Sequence, residues 1–339
     1  MKTAIVTGAN GHIGANLVRE LLANDYCVTA FVREKADLRG LEDARCERAV
    51  GDVLDPESVA RAITPGAVVF HAAAPYLVWA RDPSTIVRPA VEGTQNVLRA
   101  AKAAGAARVV VTSSCNAVGF TRDPAKPLDE QTWNQRATSP YMRAKLEQER
   151  TAHALGKELG LEVMCVLPTT VIGPFDYRKT PTTAPFVDML TGKGPVPFPA
   201  NLIDVRDVAI GHRLAAERGK PGERYLLAGD NVDMATLAGW IEKQVGHRPK
   251  EGLPPAWVLR AVATVSEAVS ALSGKAPIIT RAILDDVDGG VPLFDGSKAR
   301  RELGFAPRGG EEIVAGLLAW AREMGWLGEA KAQSAGAAA

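Results

Sequence analysis

Cysteine, and an excess of charge of either sign, are what this sequence has least of. Its 339 residues include four cysteines, and 40 basic residues against 39 acidic ones leave a formal net charge of +1. The cysteines, at positions 27, 46, 115 and 165, are too far apart for a metal motif or a disulfide framework. We therefore expect buried, reduced thiols and no metal. The balanced charge argues against a nucleic-acid partner and favours a small molecule.

Long hydrophobic runs are also missing. The most apolar late stretch, residues 255–274, is interrupted by Arg260 and Glu267 and falls short of the about 20 apolar residues that a membrane span needs. We expect an amphipathic helix that covers a lobe, with attachment to a membrane surface as the alternative. The start MKTAIVTGAN enters a strand that Gly8 breaks too soon for a signal sequence, which predicts a cytoplasmic protein. The Ala-rich end at 328–339 predicts a flexible tail.

Short β-type runs alternate with amphipathic helical patterns through the first half of the chain. TAIVT, CVTAFV, AVVFHAA, RVVVTSS and EVMCVLP are separated by patterns such as HIGANLVRELLAND. This alternation predicts βαβ units in an α/β fold, a Rossmann-type doubly wound parallel sheet with helices on both faces. Later Pro- and Gly-rich sequence predicts a smaller, mixed C-terminal substrate lobe. We expect the dinucleotide domain at 1–168 and 202–229, and the lobe at 169–201 and 230–327.

A glycine-rich turn follows the first predicted strand. Gly8, Gly11 and Gly14 stand in a GxxGxxG spacing, which lets the backbone turn tightly and approach a pyrophosphate at a helix N-terminus. After the second strand, Arg33 and Lys35 stand where an enzyme that binds a ribose 2′-OH offers a carboxylate. A guanidinium there suits a 2′-phosphate, so NADP(H) is the predicted cofactor and NAD(H) the alternative. Arg33 and Lys35 could also be ordinary surface cations.

Three aspartates allow different interpretations. Asp52, in GDVLD after the third strand, could accept a hydrogen bond from an adenine amino group, with Val53 beside the ring. Asp55 is the simplest cap for the helix that opens with Pro56. Asp207, at the start of a later helical pattern, is also expected to be a helix cap.

The stretch SPYMRAK places Tyr141 and Lys145 four residues apart, so that a helix would direct both side chains the same way. The strand RVVVTSS ends in Ser113 and Ser114, and ligands of parallel sheets bind at the carboxyl ends of strands. The combination predicts carbonyl reduction, in which Ser114 donates a hydrogen bond to the carbonyl oxygen and Tyr141 protonates it. Lys145 is expected to lower the phenol pKa from about 10 towards neutrality. A solvated helix that carries both residues by accident is the alternative.

The motifs TGANGHIG, GDVLD, HAAA, TSS, YMRAK and LPTTVIGP follow one another in this order. In this combination the chain resembles the extended short-chain dehydrogenase/reductase family over most of residues 2–325. Within the family it is similar to dihydroflavonol 4-reductase and cinnamoyl-CoA reductase-like enzymes, and to bacterial hopanoid-associated sugar epimerases. Pro89 and Ala90, the stretch LDEQTWN and Arg33 resemble the reductases.

The resemblance implies a set of site residues. Ser114, Tyr141 and Lys145 match the catalytic positions, with Ser113 as the doubtful neighbour. The implied cofactor-binding residues are Gly8, Gly11, His12, Ile13, Gly14, Arg33, Lys35, Asp52, Val53, Ala72, Ala73, Ala74, Thr112, Tyr141, Lys145, Pro168 and Thr170. Substrate contacts are expected in the segment 76–82 and at Phe175 and Tyr177. His12 and His71 are expected to pack rather than to catalyse.

Two enzymatic functions follow from these residues. The favoured one is NADPH-dependent reduction of a ketone or aldehyde on a small, apolar or aromatic molecule. The alternative is a nucleotide-sugar epimerase or dehydratase with bound NAD, in which Arg178 and Lys179 would hold a substrate diphosphate. A non-catalytic cofactor sensor on the same fold is disfavoured because the Tyr141–Lys145 pair is intact. The helix at 83–104 and the Tyr141 helix could also form the bundle of a homodimer, as in many relatives.

Overall fold

The computed structural model describes residues 2–77, 79–287 and 289–327. The predicted flexible tail at 328–339 lies outside the described residues, as does position 78 within the expected substrate segment. The strands are β1 (Lys2–Thr7), β2 (Tyr26–Val32), β3 (Glu47–Val50), β4 (Val68–His71), β5 (Arg108–Thr112), β6 (Val163–Pro168), β7 (Thr170–Ile172), β8 (Ala200–Asp204), β9 (Arg224–Leu227) and β10 (Asp230–Val232).

Helices follow most of the strands of the first half and dominate the second half. They are α1 (His12–Ala23), α2 (Pro56–Ala62), α3 (Ser84–Ala104), α4 (Pro140–Leu159), α5 (Thr183–Leu190), α6 (Val205–Arg218), α7 (Met234–Val245), α8 (Ala256–Ser273), α9 (Arg281–Val287), α10 (Ser297–Leu303) and α11 (Gly310–Glu323). The long helices α3 and α4 both end at a glycine in the left-handed region, Gly105 and Gly160, where a residue without a side chain is least strained.

A seven-stranded sheet with the order β3-β2-β1-β4-β5-β6-β9 forms the centre of the molecule. Every neighbouring pair in it is parallel. The chain runs outward from β1 to β3 and then crosses back to β4, so the order reverses between β1 and β4. The carboxyl ends of strands at such a switch point form the crevice in which doubly wound sheets bind ligands. The predicted Rossmann-type fold is confirmed.

The two faces of the sheet carry separate hydrophobic cores. Because strand side chains alternate, Ala4 and Val6 of β1 pack on one face with α1 and α6, while Ile5 packs on the other with α3 and α4. Both cores are continuous and fully buried, as expected for parallel strands rich in valine and isoleucine. The cores therefore fix which way the loops at the carboxyl edge face.

A smaller mixed sheet has the order β10-β8-β7, in which β7 and β8 are parallel and β8 and β10 are antiparallel. Its strands β7 and β8 precede β9 of the large sheet along the chain, and β10 follows it. It shares a third core with α5, α7 and α11, to which Ile172, Leu202, Ile313 and Leu317 belong. This arrangement confirms the predicted small mixed unit, whereas the exact division of the chain into two domains stays a prediction.

Helix α8 differs from its expected role. The sequence predicts that its apolar side covers a lobe, but Trp257 is 74% exposed and Leu272 is 92% exposed. The residues that α8 buries are small, namely Ala263, Ser266 and Ser270. Among the described helices, none combines the length and the apolarity that crossing a membrane requires.

The structure confirms one expected helix cap, and it corrects the expectations for a second cap and for the cysteines. Asp55 does cap α2, accepting a hydrogen bond from Glu57 N, as predicted. Asp207 is not the cap of α6, because Asp204 accepts from Arg206 N at the start of that helix; Asp207 instead pairs with Arg308. The four cysteines are free thiols, but only Cys115 and Cys165 are buried, whereas Cys27 is exposed and Cys46 is half-buried.

Candidate active site

The glycine-rich turn has room only for glycine at two positions. Gly8 has φ +68°, and a Cβ there would lie 2.8 Å from the backbone of Ala73. A Cβ on Gly14 would lie 2.2 Å from the carbonyl oxygen of Gly8. The turn is closed by a hydrogen bond of 2.9 Å from Gly11 N to Gly8 O, and α1 begins directly after it. The backbone geometry therefore fits the pyrophosphate of a dinucleotide at a helix N-terminus.

A second segment packs on this turn, which the sequence does not reveal. His12 Nε2 and Asn16 Nδ2 both contact the carbonyl oxygen of Pro174, at 3.0 and 3.2 Å. Arg178 donates from NH2 to Asn10 O at 3.4 Å, and the same nitrogen lies 3.9 Å from the position of a Cβ on Gly11. The Arg178 guanidinium is thus a cation at the phosphate end of the predicted dinucleotide site.

The predicted adenosine end of the cofactor site carries two exposed cations. Arg33 and Lys35 follow β2 and are exposed, and neither has an ion pair or side-chain hydrogen bond within the described residues. Arg39, by contrast, is paired with Asp37 at 2.6 Å. Two positively charged side chains without an acidic partner fit a phosphate group better than a ribose hydroxyl.

Asp52 and Val53 lie after β3, as predicted, and both have local contacts. One carboxylate oxygen of Asp52 accepts from Leu54 N at 2.9 Å. The Val53 side chain packs so closely on Gly93 of α3 that a Cβ added to Gly93 would lie 2.8 Å from it. The Asn96 side chain donates a hydrogen bond to Val53 O. The loop is therefore held tightly against α3, with one Asp52 oxygen free of that local hydrogen bond.

Tyr141 is in the first turn of α4, immediately after Pro140, where proline favours a helix start. Its ring packs against that of Tyr76 with 5.0 Å between ring centroids, and its phenol is close enough to the Ser114 hydroxyl for that group to act on the Tyr141 pKa, in the lowering direction. Tyr76 in turn hydrogen-bonds Thr182, before α5. Burial raises the pKa of Tyr141 well above its ordinary value of 10, and the neighbouring Tyr76 and Cys115 act in the same direction. The phenol is therefore neutral and holds its proton at physiological pH.

Lys145 is fully enclosed one turn further along α4. Its ammonium donates to Thr112 O at 2.9 Å and to the side-chain oxygen of Gln148 at 3.0 Å. Burial lowers the pKa of Lys145 to about 8. The expectation that Lys145 lowers the Tyr141 pKa is wrong for this arrangement, because burial dominates the Tyr141 pKa and the ammonium contacts Thr112 and Gln148 instead.

Gln148 is held in turn by Thr94 of the neighbouring helix α3. Gln148 Nε2 donates to Thr94 Oγ1 at 3.2 Å, and Thr94 donates its own hydroxyl proton to Ala90 O at 2.7 Å. His71 Nε2 also contacts Thr94 Oγ1, at 3.0 Å. Since the Thr94 proton is used on Ala90, the Thr94 oxygen accepts from both Gln148 and His71. The amide of Gln148 is thereby fixed with its oxygen towards Lys145.

Counting hydrogen-bond donors and acceptors in the same way assigns the tautomers of the two histidines in this network. His71 Nε2 carries a proton, so its Nδ1 accepts from the Thr7 hydroxyl at 2.8 Å. His212 Nδ1 donates to Val208 O at 2.7 Å, so its Nε2 accepts from the Thr112 hydroxyl at 2.8 Å. Burial and the charge of Lys145 lower the pKa of His71 to about 3 and that of His212 to about 4. Both rings are neutral packing residues, in line with the prediction for His71.

The structure separates the two candidate serines. Ser113 Oγ donates to Glu149 at 2.5 Å, and Glu149 also pairs with the buried Arg224. The Ser114 hydroxyl oxygen accepts from Asn116 N at 3.2 Å, has no acidic partner among the described residues, and acts on the pKa of Tyr141. Ser113 is therefore engaged by Glu149, and Ser114 is left as the candidate partner of Tyr141.

Phe175 and Tyr177, expected at the substrate, lie elsewhere. Both rings pack against Trp320 of α11, with centroid distances of 5.3 and 5.1 Å. Arg19 covers Phe175, and Arg39 covers Tyr177. The two aromatic residues hold the 173–179 loop against α1 and α11.

Sequence reasoning missed Gln148, Thr94, Tyr76 and Thr182. Gln148 stands three residues after Lys145, on the same helix face, which is a signal that spacing could have given. It also missed a group of Glu149, His153 and Cys165, whose potential ligand atoms all lie within 4.8 Å of one another. The Glu149 carboxylate is already engaged by Arg224 and Ser113, and burial raises the pKa of the Cys165 thiol well above its ordinary value. That donor set therefore favours a structural ion pair over a metal.

The parallel sheet, the glycine turn and the Ser114–Tyr141–Lys145 group define an NAD(P)-dependent oxidoreductase-type enzyme of the Rossmann class. The chain belongs to the NAD dependent epimerase/dehydratase family, whose model matches residues 4–228. The resemblance to extended short-chain dehydrogenases/reductases is thereby confirmed.

Two curated relatives match nearly the whole chain. Sterol demethylase protein B of Methylococcus capsulatus is 32% identical over 96% of this chain and 100% of its own. A putative dihydroflavonol 4-reductase of Synechocystis is 33% identical over 95% of both chains. Among solved structures, that of gox2253 is 34% identical, covers 96% of this chain and 99% of its own, and has a TM-score of 0.84. The chain is thus similar to reductases as well as to the wider epimerase/dehydratase family.

Proposed function

We propose that the protein uses NADPH to reduce a ketone or aldehyde group on a small, predominantly apolar molecule. The observation that supports this most directly is the surroundings of Tyr141. The neutral, half-buried Tyr141 packs against the Tyr76 ring, and its phenol has the Ser114 hydroxyl nearby, so a proton donor lies beside an aromatic side chain. A substrate whose carbonyl oxygen accepts hydrogen bonds from Ser114 and Tyr141 would place its apolar substituents against Tyr76.

Each residue then has a separate task. A bound NADPH supplies the hydride. Ser114 donates a hydrogen bond to the carbonyl oxygen and stabilises the negative charge that develops there. Tyr141 transfers its proton to the same oxygen, which leaves an alcohol and a phenolate. Lys145 has used two of its three N–H donors on Thr112 and Gln148, and the third is left for a nicotinamide ribose hydroxyl.

The proposed preference for NADPH depends on Arg33 and Lys35. Both are exposed at the end of β2 without an acidic partner in the described part of the chain. Arg178 is proposed to bind the cofactor pyrophosphate, since it contacts the glycine-rich turn through Asn10. This placement weakens the nucleotide-sugar alternative, because it engages Arg178, one of the two cations, with Lys179, that would have held a substrate diphosphate.

The proposed substrate class agrees with the relatives. One is called a sterol demethylase protein and another a putative dihydroflavonol 4-reductase, both named for ring compounds. The Tyr76 ring beside Tyr141 suits a ring system of this kind.

The cofactor preference can be tested by fluorescence titration with NADPH and NADH. We expect tighter binding of NADPH, and Arg33→Ala should weaken NADPH binding by roughly 10- to 100-fold, as for loss of a hydrogen bond to a charged group. NADH binding should stay unchanged. Arg61→Ala, an equally exposed arginine on α2, serves as the matched control. Equal affinity for both cofactors, or NAD released from the denatured protein, would favour the epimerase/dehydratase alternative.

The chemistry can be tested with a panel of ring ketones, flavanonols and aldehydes, by following NADPH oxidation. Tyr141→Phe should lower kcat by about 10²- to 10⁴-fold, the usual contribution of a general acid. NADPH binding by this variant should stay within a factor of about 3, because the ring and its packing remain. A Tyr141→Phe variant that keeps wild-type turnover would disprove the assigned role.

A further inference from the structure

Helix α8 presents several large apolar side chains to solvent on one side. Trp257, Val265, Val269 and Leu272 recur at helical spacing and are 74, 64, 56 and 92% exposed. Ile278, in the turn after the helix, is 90% exposed. At 100° per residue, the four helical positions fall within one sector of the helix surface. The exposed face is therefore a continuous apolar strip, which we call the α8 strip.

The opposite side of α8 is the side that packs. It buries Ala263, Ser266 and Ser270, and Ser266 accepts a hydrogen bond of 2.7 Å from Ile278 N. Burial of small residues in place of Trp257 and Leu272 is the reverse of the usual amphipathic pattern. An exposed strip of this composition marks an interaction site.

Both ends of α8 are connected to segments next to the candidate active site. Asp286 of α9, the helix that packs against α8, accepts from the Thr138 hydroxyl at 2.6 Å and from Ser139 N at 2.8 Å, directly before the Tyr141 helix. At the other end of α8, Arg81 of the predicted substrate segment lies 3.3 Å from the position of a Cβ on Gly274.

The charged residues around the α8 strip favour binding to an anionic surface. The acidic residues Glu267 and Asp285 are each neutralised, by Arg281 at 2.7 Å and by Arg260 at 2.9 Å. Two exposed cations near the end of α8, Arg81 and Lys275, have no carboxylate partner among the residues that the structure describes.

The size of the strip argues against a second copy of the chain as its occupant. Helix α8 has 18 residues and so is about 27 Å long and about 10 Å wide, which gives roughly 300 Å². A stable protein interface needs about 800 Å² from each partner. A lipid surface requires no such area, since a helix can lie in the headgroup region with its apolar face inward. We propose that α8 docks the protein on an anionic membrane surface, with the rim of the candidate active site at the lipid.

Vesicle flotation tests this proposal. The full-length protein is mixed with vesicles of phosphatidylcholine, or of phosphatidylcholine and phosphatidylglycerol, and the bound fraction is measured. We expect binding to both, stronger with phosphatidylglycerol. Leu272→Glu should weaken partitioning by about tenfold or more, because a charge replaces an inserted side chain. Ala271→Glu is the matched control on the polar border of the same helix and should bind like wild type.

The charge contribution is tested separately. Arg81→Ala combined with Lys275→Ala should abolish the preference for phosphatidylglycerol and keep the residual binding to phosphatidylcholine. Leu272→Glu should bind NADPH like wild type, which shows that a loss of vesicle binding does not reflect unfolding. The proposal would be overturned if wild-type protein floated with neither type of vesicle, or if Leu272→Glu floated like wild type. A wild-type dimer that Leu272→Glu converts to a monomer would overturn it in favour of a second copy.

Discussion

The orientation of one lysine is the main residue-scale feature of the site. A Lys ammonium has three donors, and Lys145 uses two of them on acceptors that cannot move freely. Thr112 O belongs to β5, and the Gln148 oxygen is oriented by Thr94 of α3. Because Gln148 is 0% exposed, water cannot replace it. Gln148 therefore acts as a positioning residue for Lys145.

Replacing Gln148 by leucine should disturb catalysis more than substrate binding. Without the amide, the Lys145 ammonium loses one of its two fixed acceptors and reorients. We expect kcat to fall roughly 10- to 100-fold, as for small misplacements of a catalytic group, with KM nearly unchanged. Steady-state kinetics with a carbonyl substrate, together with NADPH titration, measure both effects.

Two companion variants separate positioning from mere stability. Gln148→Glu keeps an oxygen acceptor for Lys145 and should retain more of kcat than Gln148→Leu. Thr94→Val removes the anchor of the amide and should lower kcat in the same direction but less. If a folded Gln148→Leu protein has wild-type kcat, Lys145 is held without Gln148.

At the scale of elements, the glycine-rich turn is the most sharply constrained segment. A Cβ on Gly14 would lie 2.2 Å from Gly8 O, so the turn must open to accept Ala at this position. We expect Gly14→Ala to weaken NADPH binding by at least about 100-fold and to lower the free energy of unfolding by about 1–3 kcal/mol. Fluorescence titration and urea unfolding measure the two changes.

Gly239→Ala provides the matched control for this substitution. Gly239 is inside α7, where the one described atom within 4 Å of a new Cβ is a guanidinium nitrogen of Arg248, at 3.6 Å. Because alanine favours a helix, the free energy of unfolding should stay equal or rise by up to about 1 kcal/mol. NADPH binding like wild type in Gly14→Ala would show that the turn does not hold the cofactor.

Element patterns predict most of the large sheet because its strands are buried on both faces. Short, continuous apolar runs such as RVVVT and EVMCVLP are typical of buried parallel strands, and both are central strands of the sheet. The role of α8 was not predictable in this way, since amphipathicity shows that a helix has two faces but not which one is buried. The same limit explains Asp207, because the preceding Asp204 is an equally good cap.

At the scale of the whole molecule, contacts between distant segments decide the site. The i, i+4 spacing of Tyr141 and Lys145 was visible in the sequence, but the partners of both residues come from other elements. Arg178 reaches the first turn of the fold from a loop 168 positions later in the chain. Such placements depend on how two layers pack, and one sequence carries no local signal for them.

The buried histidines make the stability of the whole fold depend on pH. His71, with its pKa lowered to about 3, and His212, with its pKa lowered to about 4, stay neutral in the folded protein. In the unfolded chain both titrate near 6.5. Because folding lowers both pKa values, their contribution is present above pH 6.5 and is lost as the pH falls from 6.5 towards 3. Lys145, with a pKa of about 8, changes charge outside this window.

We therefore expect the free energy of unfolding to decrease by about 3–4 kcal/mol between pH 7 and pH 5, since each histidine contributes about 1.4 kcal/mol per pH unit below 6.5. Urea unfolding followed by circular dichroism at pH 7, 6 and 5 measures the decrease. His71→Gln should remove about half of the pH dependence, whatever its effect on stability at pH 7. An equal free energy at pH 7 and pH 5 would mean that both rings accept protons in the folded protein and that the network behind Lys145 is not fixed in the neutral form.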